Sequence, residues 1–189
     1  DIPQDHAFIA VLYKYAAKHN IKWVLNGGNC STEAVRNPRN WYWYGTDMKH
    51  IKAIRNSFGA EKMPTYPFSS ILGHKLWLRY FRGIKVFKLL DYIPYIKSDA
   101  LNILKETYDW KPYPQKHFES RFTRYLEGYW LPYRFGIDTR RTQFSSLILS
   151  GQMERNEALK LLEKPAIDDI EAEKEGRFIA EKLYITYEE

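Results

Sequence analysis

The chain has 189 residues and a formal net charge of +6, from 29 lysine and arginine residues against 23 aspartate and glutamate residues. Its one cysteine, Cys30, excludes an internal disulfide and a zinc site built from several cysteines. No apolar run approaches the ~20 residues that a membrane-spanning helix needs. These features predict a globular protein of a reducing, cytoplasmic compartment, without a membrane segment and with a mild preference for anionic ligands.

The first third of the chain alternates between predicted helix and predicted strand. Apolar residues at helical spacing predict a helix over residues 3–19, and a short apolar run predicts a strand over residues 21–25. After a Gly-rich turn, Ser31 predicts the N-cap of a second helix, and a third is predicted over residues 47–58. This order is typical of an α/β sheet, in which ligands bind at the carboxyl ends of the strands.

From residue 69 onward the pattern favours helices and shows no further strand. The predicted helices cover residues 71–90, 98–108, 117–129, 139–149, 154–162 and 168–183. One strand cannot form a stable sheet, so we expect an incomplete sheet that residues upstream of Asp1 or a second chain would complete. The predicted fold class is therefore α/β over residues 1–62, followed by a mainly α-helical domain over residues 63–189.

The second half of the chain carries a dense set of polar residues among aromatic ones. The segments are 116–124 (KHFESRFTR), 135–141 (FGIDTRR) and 145–152 (SSLILSGQ). Arginine and lysine donors held by carboxylates suit a pocket for a phosphorylated or anionic ligand. The same charges could instead form an ion-pair network, with Glu119 bound to Arg140 or Asp138 bound to Arg141.

These segments resemble one enzyme family. Residues 22–59, in which GGNCSTEA (residues 27–34) lies between the predicted strand and helix, resemble the latter half of the nucleotide-binding domain of PP-loop ATP pyrophosphatases, which are adenine nucleotide alpha hydrolase-like proteins. The three later segments resemble the N-acetyl sugar amidotransferases of that superfamily. No phosphate loop of the SGGKDS type is present in these residues. The resemblance therefore implies the carboxy-terminal portion of such an enzyme, containing a remnant of its parallel-sheet domain and inactive by itself.

The resemblance implies an ATP-dependent reaction, with ATP and Mg²⁺ as cofactors, in the biosynthesis of lipopolysaccharide O-antigen. The substrate would be a nucleotide-activated acetamido sugar, whose acetamido group becomes an acetamidino group. A glutamine amidotransferase subunit would supply the ammonia. Formation of a homodimer is a further possibility. The family implies no metal site formed by the protein alone.

The resemblance and the residue chemistry together nominate candidate site residues. The catalytic candidates are Lys116, which would contact the pyrophosphate or adenylate oxygens, His117, which would move a proton, and Glu119. The candidates for nucleotide or phosphate binding are Asn29, Ser31, Thr32, Glu33, Arg124, Arg140 and Arg141. The candidates for substrate binding are Ser120, Thr123, Asp138 and Ser145.

Simpler interpretations stay open at this point. Ser31 could be a helix cap only, and His117 could be structural. The chain could also be a non-catalytic domain that binds RNA or another polyanion, or that docks the ammonia-producing subunit. The acidic residue count and the lack of an RNA-binding motif disfavour nucleic acid.

Overall fold

The computed structural model describes residues 2–41, 44–59 and 63–188. Within these residues the chain is mainly helical and contains one two-stranded parallel sheet. They form two compact units, of which unit 1 comprises residues 1–27 and 38–89 and unit 2 comprises residues 28–37 and 90–189. The predicted boundary at residue 62 separates a nucleotide-binding part from a helical part by function, and these compact units do not test it. It stays a prediction.

The bounds of the elements are as follows. The α-helices are α1 (Ile2–Lys18), α2 (Cys30–Glu33), α3 (Met48–Ser57), α4 (Lys97–Tyr108), α5 (Arg121–Tyr125), α6 (Leu131–Phe135), α7 (Arg140–Leu149), α8 (Arg155–Leu162) and α9 (Asp169–Leu183). The strands are β1 (Trp23–Asn26) and β2 (Lys85–Lys88), the π-helical segments are Gly73–Phe81 and Leu126–Trp130, and 3-10 turns cover Arg39–Trp41 and Leu89–Asp91. None of the helices in the described residues combines the length and the hydropathy needed to cross a bilayer.

Unit 1 contains the sheet, in which β1 and β2 pair in parallel with Trp23 opposite Lys85. The prediction of a helix through residues 71–90 is therefore wrong in its second half. The helical segment ends at Phe81 with Arg82 as its C-cap, Gly83 takes a positive φ of 64°, and the chain then extends as β2. A glycine adopts that left-handed conformation without steric cost, so it separates the two elements. The prediction that no strand follows residue 69 is also wrong, because β2 supplies the partner of β1. That residues upstream of Asp1 or a second chain complete the sheet stays a prediction.

A buried histidine organises the packing of unit 1. His6 of α1 is 1% exposed, and its Nε2 accepts a hydrogen bond of 3.0 Å from the backbone N–H of Ser69. Its ring stacks on Tyr66, whose hydroxyl donates to the carbonyl of Pro3. Burial lowers the pKa of His6 below its usual 6.5, because a charged imidazolium would lose its hydration there.

In unit 2, Phe118, Ile167 and Ala172 form a buried cluster against which Tyr129 packs. Gly128 lies directly beside it, since a Cβ at this position would sit 3.1 Å from Phe118 Cζ and 3.3 Å from Ile167. The absence of a side chain at Gly128 thus allows the helix to approach the core closely.

The helix that contains Gly128 differs from the one predicted over residues 117–129. It begins at Arg121, behind the N-cap Ser120, and residues before it form a turn in which His117 takes a positive φ of 70°. It continues through the π-helical segment Leu126–Trp130 to Phe135. In the π-helical segment the Leu131 N–H donates to the Leu126 carbonyl, five residues back. Pro132 explains the wider turn, because it cannot donate to the carbonyl four residues back and its ring collides with it.

Candidate functional site

A cavity of about 190 Å³ lies within unit 2. It is lined by the segment around α2, by the two ends of the 116–127 region, and by α7 with its N-cap residue. The lining residues are Thr32, Glu33, Val35, Asn37, Lys116, His117, Glu127, Thr139, Thr142, Gln143 and Ser146. We refer to it as the Glu127 cavity. It is smaller than the ~300–1,000 Å³ that encloses a whole small ligand, so its size suits one end group of a larger molecule.

The wall formed by α2 is fixed by side chains that occupy its backbone donors. The N-cap is Asn29, and its Oδ1 accepts from the Thr32 N–H at 2.8 Å. The Cys30 N–H donates to Asp91 Oδ1 at 2.7 Å. The expectation that Ser31 caps this helix is wrong; its carbonyl instead accepts a hydrogen bond from Ser150 Oγ. Protein acceptors therefore already bind the N–H groups of Cys30 and Thr32, so neither donor is available to a ligand.

The opposite wall is α7, which Ser146 ties to the segment after α2. Ser146 is 1% exposed, and its Oγ accepts from the Val35 N–H and donates to the Thr142 carbonyl, each at 3.0 Å. The Thr142 hydroxyl in turn lies 3.3 Å from Asn37 Oδ1. These hydrogen bonds hold the two walls together, and they satisfy polar groups that burial would otherwise leave costly.

One lysine, Lys116, places positive charge at the cavity, and Lys97 lies near enough to Lys116 to interact with its charge. Lys116 Nζ lies 3.0 Å from Glu33 Oε1, and both side chains are partly exposed. The pKa of Lys97 is lowered, first because partial burial desolvates its ammonium and second because Lys116 repels it. An ammonium carries three donors, so Lys116 keeps donor capacity for a ligand oxygen beyond its bond to Glu33.

Glu127 places a mostly buried carboxylate in the same cavity. Its Oε2 accepts a hydrogen bond from Thr139 Oγ1 at 3.2 Å. Burial raises the pKa of Glu127, and the nearby Glu119 adds to the rise, whereas His117, Thr139 and Lys116 oppose it. The net direction is upward, so the site disfavours an isolated negative charge at Glu127.

Arg140 and Asp138 bind each other, whereas Arg141 contacts the protein through its backbone. Arg140 is 7% exposed, and its guanidinium binds both carboxylate oxygens of Asp138 and also the Leu161 carbonyl. The expected pairs of Glu119 with Arg140 and of Asp138 with Arg141 are therefore wrong. Arg141 is exposed; its N–H donates to the Asp138 carbonyl, and its own carbonyl accepts from Ser145 Oγ at 2.6 Å.

Arg124 lies at a second cavity of unit 2, of about 490 Å³. Its guanidinium contacts Glu171 at 2.9 Å and the buried Glu175 at 3.6 Å. Arg121 contacts Glu175 as well, at 2.5 Å, and stacks over Phe178. Cations and carboxylates are balanced at this cavity, which makes Arg124 part of an internal ion-pair network.

Comparison with known proteins supplies a family match for one part of the chain. Residues 119–189 match the family described as LPS biosynthesis protein WbpG-like, C-terminal domain. This matched segment is similar to LPS biosynthesis proteins. No curated protein and no solved structure matches the chain.

The matched segment supplies one side of the Glu127 cavity. Glu127, Thr139, Thr142, Gln143 and Ser146 lie inside it. The side formed by α2, together with Lys116 and His117, lies outside it. The second cavity, with Arg124, lies wholly inside the match.

Sequence reasoning found part of this site. Of the nominated residues, Thr32, Glu33, Lys116 and His117 line the cavity, and Asn29 caps α2 behind it. Ser120 and Thr123 are joined to each other in the N-cap of α5, and Glu119 is exposed. The described residues contain no cluster of His, Cys, Asp and Glu side chains that could hold a metal ion.

Sequence reasoning missed Glu127, Thr139 and Ser146, which also line the cavity. A signal for Glu127 was present, because it is a lone carboxylate in the aromatic run Tyr125-Leu126-Glu127-Gly128-Tyr129-Trp130. A charged residue inside an apolar helical segment needs either a partner or a function.

Proposed function

We propose that this protein belongs to the machinery of bacterial surface-polysaccharide biosynthesis and forms part of an ATP-dependent sugar amidotransferase. In that reaction the amide oxygen of an acetamido group displaces pyrophosphate from ATP, ammonia adds to the activated carbon, and AMP leaves with the oxygen, giving an acetamidino group. The enzyme would act in the cytoplasm on a nucleotide-activated sugar and would receive ammonia from a glutamine amidotransferase subunit.

One observation carries this proposal. The segment similar to LPS biosynthesis proteins supplies Glu127, Thr139 and Ser146 to a polar cavity in which Lys116 contributes an ammonium. A cavity of about 190 Å³ suits an acetamido group and the adjoining part of a sugar ring better than a whole nucleotide sugar. The ammonium would neutralise negative charge that develops on the amide oxygen or on a nearby phosphate.

The fit of ATP to these residues is partial. Lys116 has donors to spare for a phosphate oxygen, whereas Arg124 and Arg140 are committed to Glu171, Glu175 and Asp138. Two donors at the start of α2, the N–H groups of Cys30 and Thr32, are also occupied. We therefore assign Lys116 to the phosphate or oxyanion contact and give Arg140 a structural role. Mg²⁺ would accompany ATP mainly through phosphate oxygens and water, as it usually does.

Ligand binding tests the proposal with the chain as it stands. UDP-N-acetylglucosamine serves as the acetamido nucleotide sugar, and UDP-glucose, which lacks the acetamido group, serves as the matched control ligand. We expect tighter binding of the acetamido sugar, and weaker binding to Lys116→Ala, in isothermal titration calorimetry. The control variant is Glu173→Gln, since Glu173 is exposed and pairs with Arg177 outside the cavity.

Two outcomes would contradict the proposal. Equal affinity for the two nucleotide sugars would mean that the protein does not recognise the acetamido group. Binding of RNA that weakens steeply with salt, without sugar binding, would favour a polyanion-binding domain instead. The reaction itself is tested by ammonia-dependent release of pyrophosphate from ATP and Mg²⁺ in the presence of the acetamido sugar and of the partner subunit.

A further inference from the structure

Glu127 differs from the two other carboxylates nearest the cavity wall, Glu33 and Asp138, in having no cationic partner, and it differs from Glu119 in being mostly buried. Glu33 is paired with Lys116, and Asp138 is paired with Arg140. Within the described residues, no lysine, arginine or histidine forms a salt bridge with Glu127, which accepts only the hydroxyl of Thr139. A mostly buried carboxylate without a cation is uncommon, because such groups are normally paired or bind a ligand.

The position of Glu127 in the fold also sets it apart. It lies in the π-helical segment Leu126–Trp130, immediately before Gly128. Short π-helical segments inside α-helices occur frequently at functional sites. Thr139 donates to Oε2 of the Glu127 carboxylate. Within the described residues, Oε1 of Glu127 has no protein donor, and Glu127 lines the cavity.

The surroundings of Glu127 have opposite effects on its ionisation. Lys116 and His117 favour its ionised form, and Glu119 and burial disfavour it. Lys116 is itself partly neutralised by Glu33. Because the unfavourable contributions prevail, a cation brought by a ligand would stabilise the ionised carboxylate that the protein alone leaves poorly compensated.

We propose that Glu127 and Thr139 form a subsite for a small planar cation of the amidinium class. A carboxylate accepts two parallel N–H donors from such a group, in the geometry that makes arginine–carboxylate pairs strong. This inference rests on the proposed function, since an amidinium is the group that the proposed reaction would create from the acetamido group. The subsite would hold the nitrogen end of the product, with Glu127 accepting its two N–H groups.

Acetamidinium chloride is the probe, and acetamide, its neutral counterpart of nearly the same shape, is the control ligand. The measurement is the shift of the backbone amide signals of Gly128 and Thr139 in ¹H–¹⁵N spectra at constant ionic strength. We expect acetamidinium to bind more tightly than acetamide in the wild-type protein. Glu127→Gln keeps the size of the side chain and should weaken acetamidinium binding about tenfold or more, while acetamide binding changes little.

The control variant is Glu173→Gln, which makes the same charge change on the exposed side of α9 and should leave acetamidinium binding unchanged. Circular dichroism verifies the fold of each variant. A second measurement uses the wild-type protein alone: just above the usual carboxyl pKa of 4.5, acetamidinium should release protons into a weakly buffered solution.

The inference is overturned if Glu127→Gln binds acetamidinium as tightly as the wild type, or if acetamide binds equally well. Its failure can be told apart from failure of the proposed function. Binding of UDP-N-acetylglucosamine without acetamidinium binding would sink this inference alone. Acetamidinium binding without preference for the acetamido sugar would keep the subsite and remove the sugar substrate.

Discussion

Asp138 holds the guanidinium of Arg140, two residues further along the chain, through three hydrogen bonds of 2.7 to 3.1 Å. The Arg140 backbone N–H donates to the same carboxylate at 3.0 Å. A further guanidinium nitrogen, Nη1, donates to the carbonyl of Leu161 near the end of α8. This pair therefore fixes the start of α7 against α8, and α7 forms a wall of the Glu127 cavity.

We expect Asp138→Asn to lower the free energy of unfolding by about 3 kcal/mol, because it leaves the buried Arg140 charge without its partner. Urea unfolding followed by circular dichroism measures the change. Arg177→Ala is the control; its pair with Glu173 is exposed to solvent, so the loss should be much smaller than in Asp138→Asn. Equal losses in the two variants would show that burial of the Asp138–Arg140 pair does not matter.

Most helices could be predicted from the sequence because their apolar periodicity and caps are local signals. Residues 168–183 were predicted as a helix, and α9 spans Asp169–Leu183 behind the N-cap Asp168. Residues 47–58 were likewise predicted, and Asp47 caps α3 by accepting from two backbone N–H groups. In both cases one side chain and the spacing after it determine where the helix begins.

The elements that were missed depend on contacts between distant residues. The strand β2 has four residues, and it pairs with β1, some sixty residues earlier, so no local pattern separates it from the helical run before it. The turn at His117 depends on burial of the adjacent Phe118 in the core of unit 2. The same limit explains the ion pairs: the partners of Arg124 are Glu171 and Glu175, about fifty residues away.

Two adjacent serines offer a second test. Ser146→Ala removes the acceptor of the Val35 N–H inside the protein, and an unsatisfied buried donor costs about 1–3 kcal/mol. Ser145→Ala loses only a hydrogen bond to the carbonyl of Arg141 in the same helix, so we expect a change within about 0.5 kcal/mol. Thermal unfolding of both variants checks the difference. A loss in Ser145→Ala as large as in Ser146→Ala would contradict the assigned hydrogen bonds.

The buried His6 predicts a pH dependence for unit 1. Burial holds the pKa of the folded state below 6.5, so below pH 6.5 the unfolded chain takes up a proton that the folded protein does not. The contribution of the neutral His6 to stability is therefore fully present above pH 6.5 and is lost as the pH falls through the lowered pKa. His6→Gln, whose amide oxygen can accept from Ser69, should remove this part of the loss. Burial also lowers the pKa of His74, which is present in both proteins. The difference between their free energies of unfolding across the pH range therefore reports on His6.

Glu127 predicts a dependence of opposite sign. Its pKa in the folded protein is raised, so the folded state holds a proton that the unfolded chain has already lost above about pH 4.5. The contribution to stability is fully present below pH 4.5 and is lost as the pH rises through the raised pKa. Glu127→Gln carries no charge at any pH and should become progressively more stable than the wild type over that window. Urea unfolding at a series of pH values measures the difference between the two proteins. A constant difference across the series would mean that Glu127 does not titrate differently on folding, and that another interaction compensates its charge.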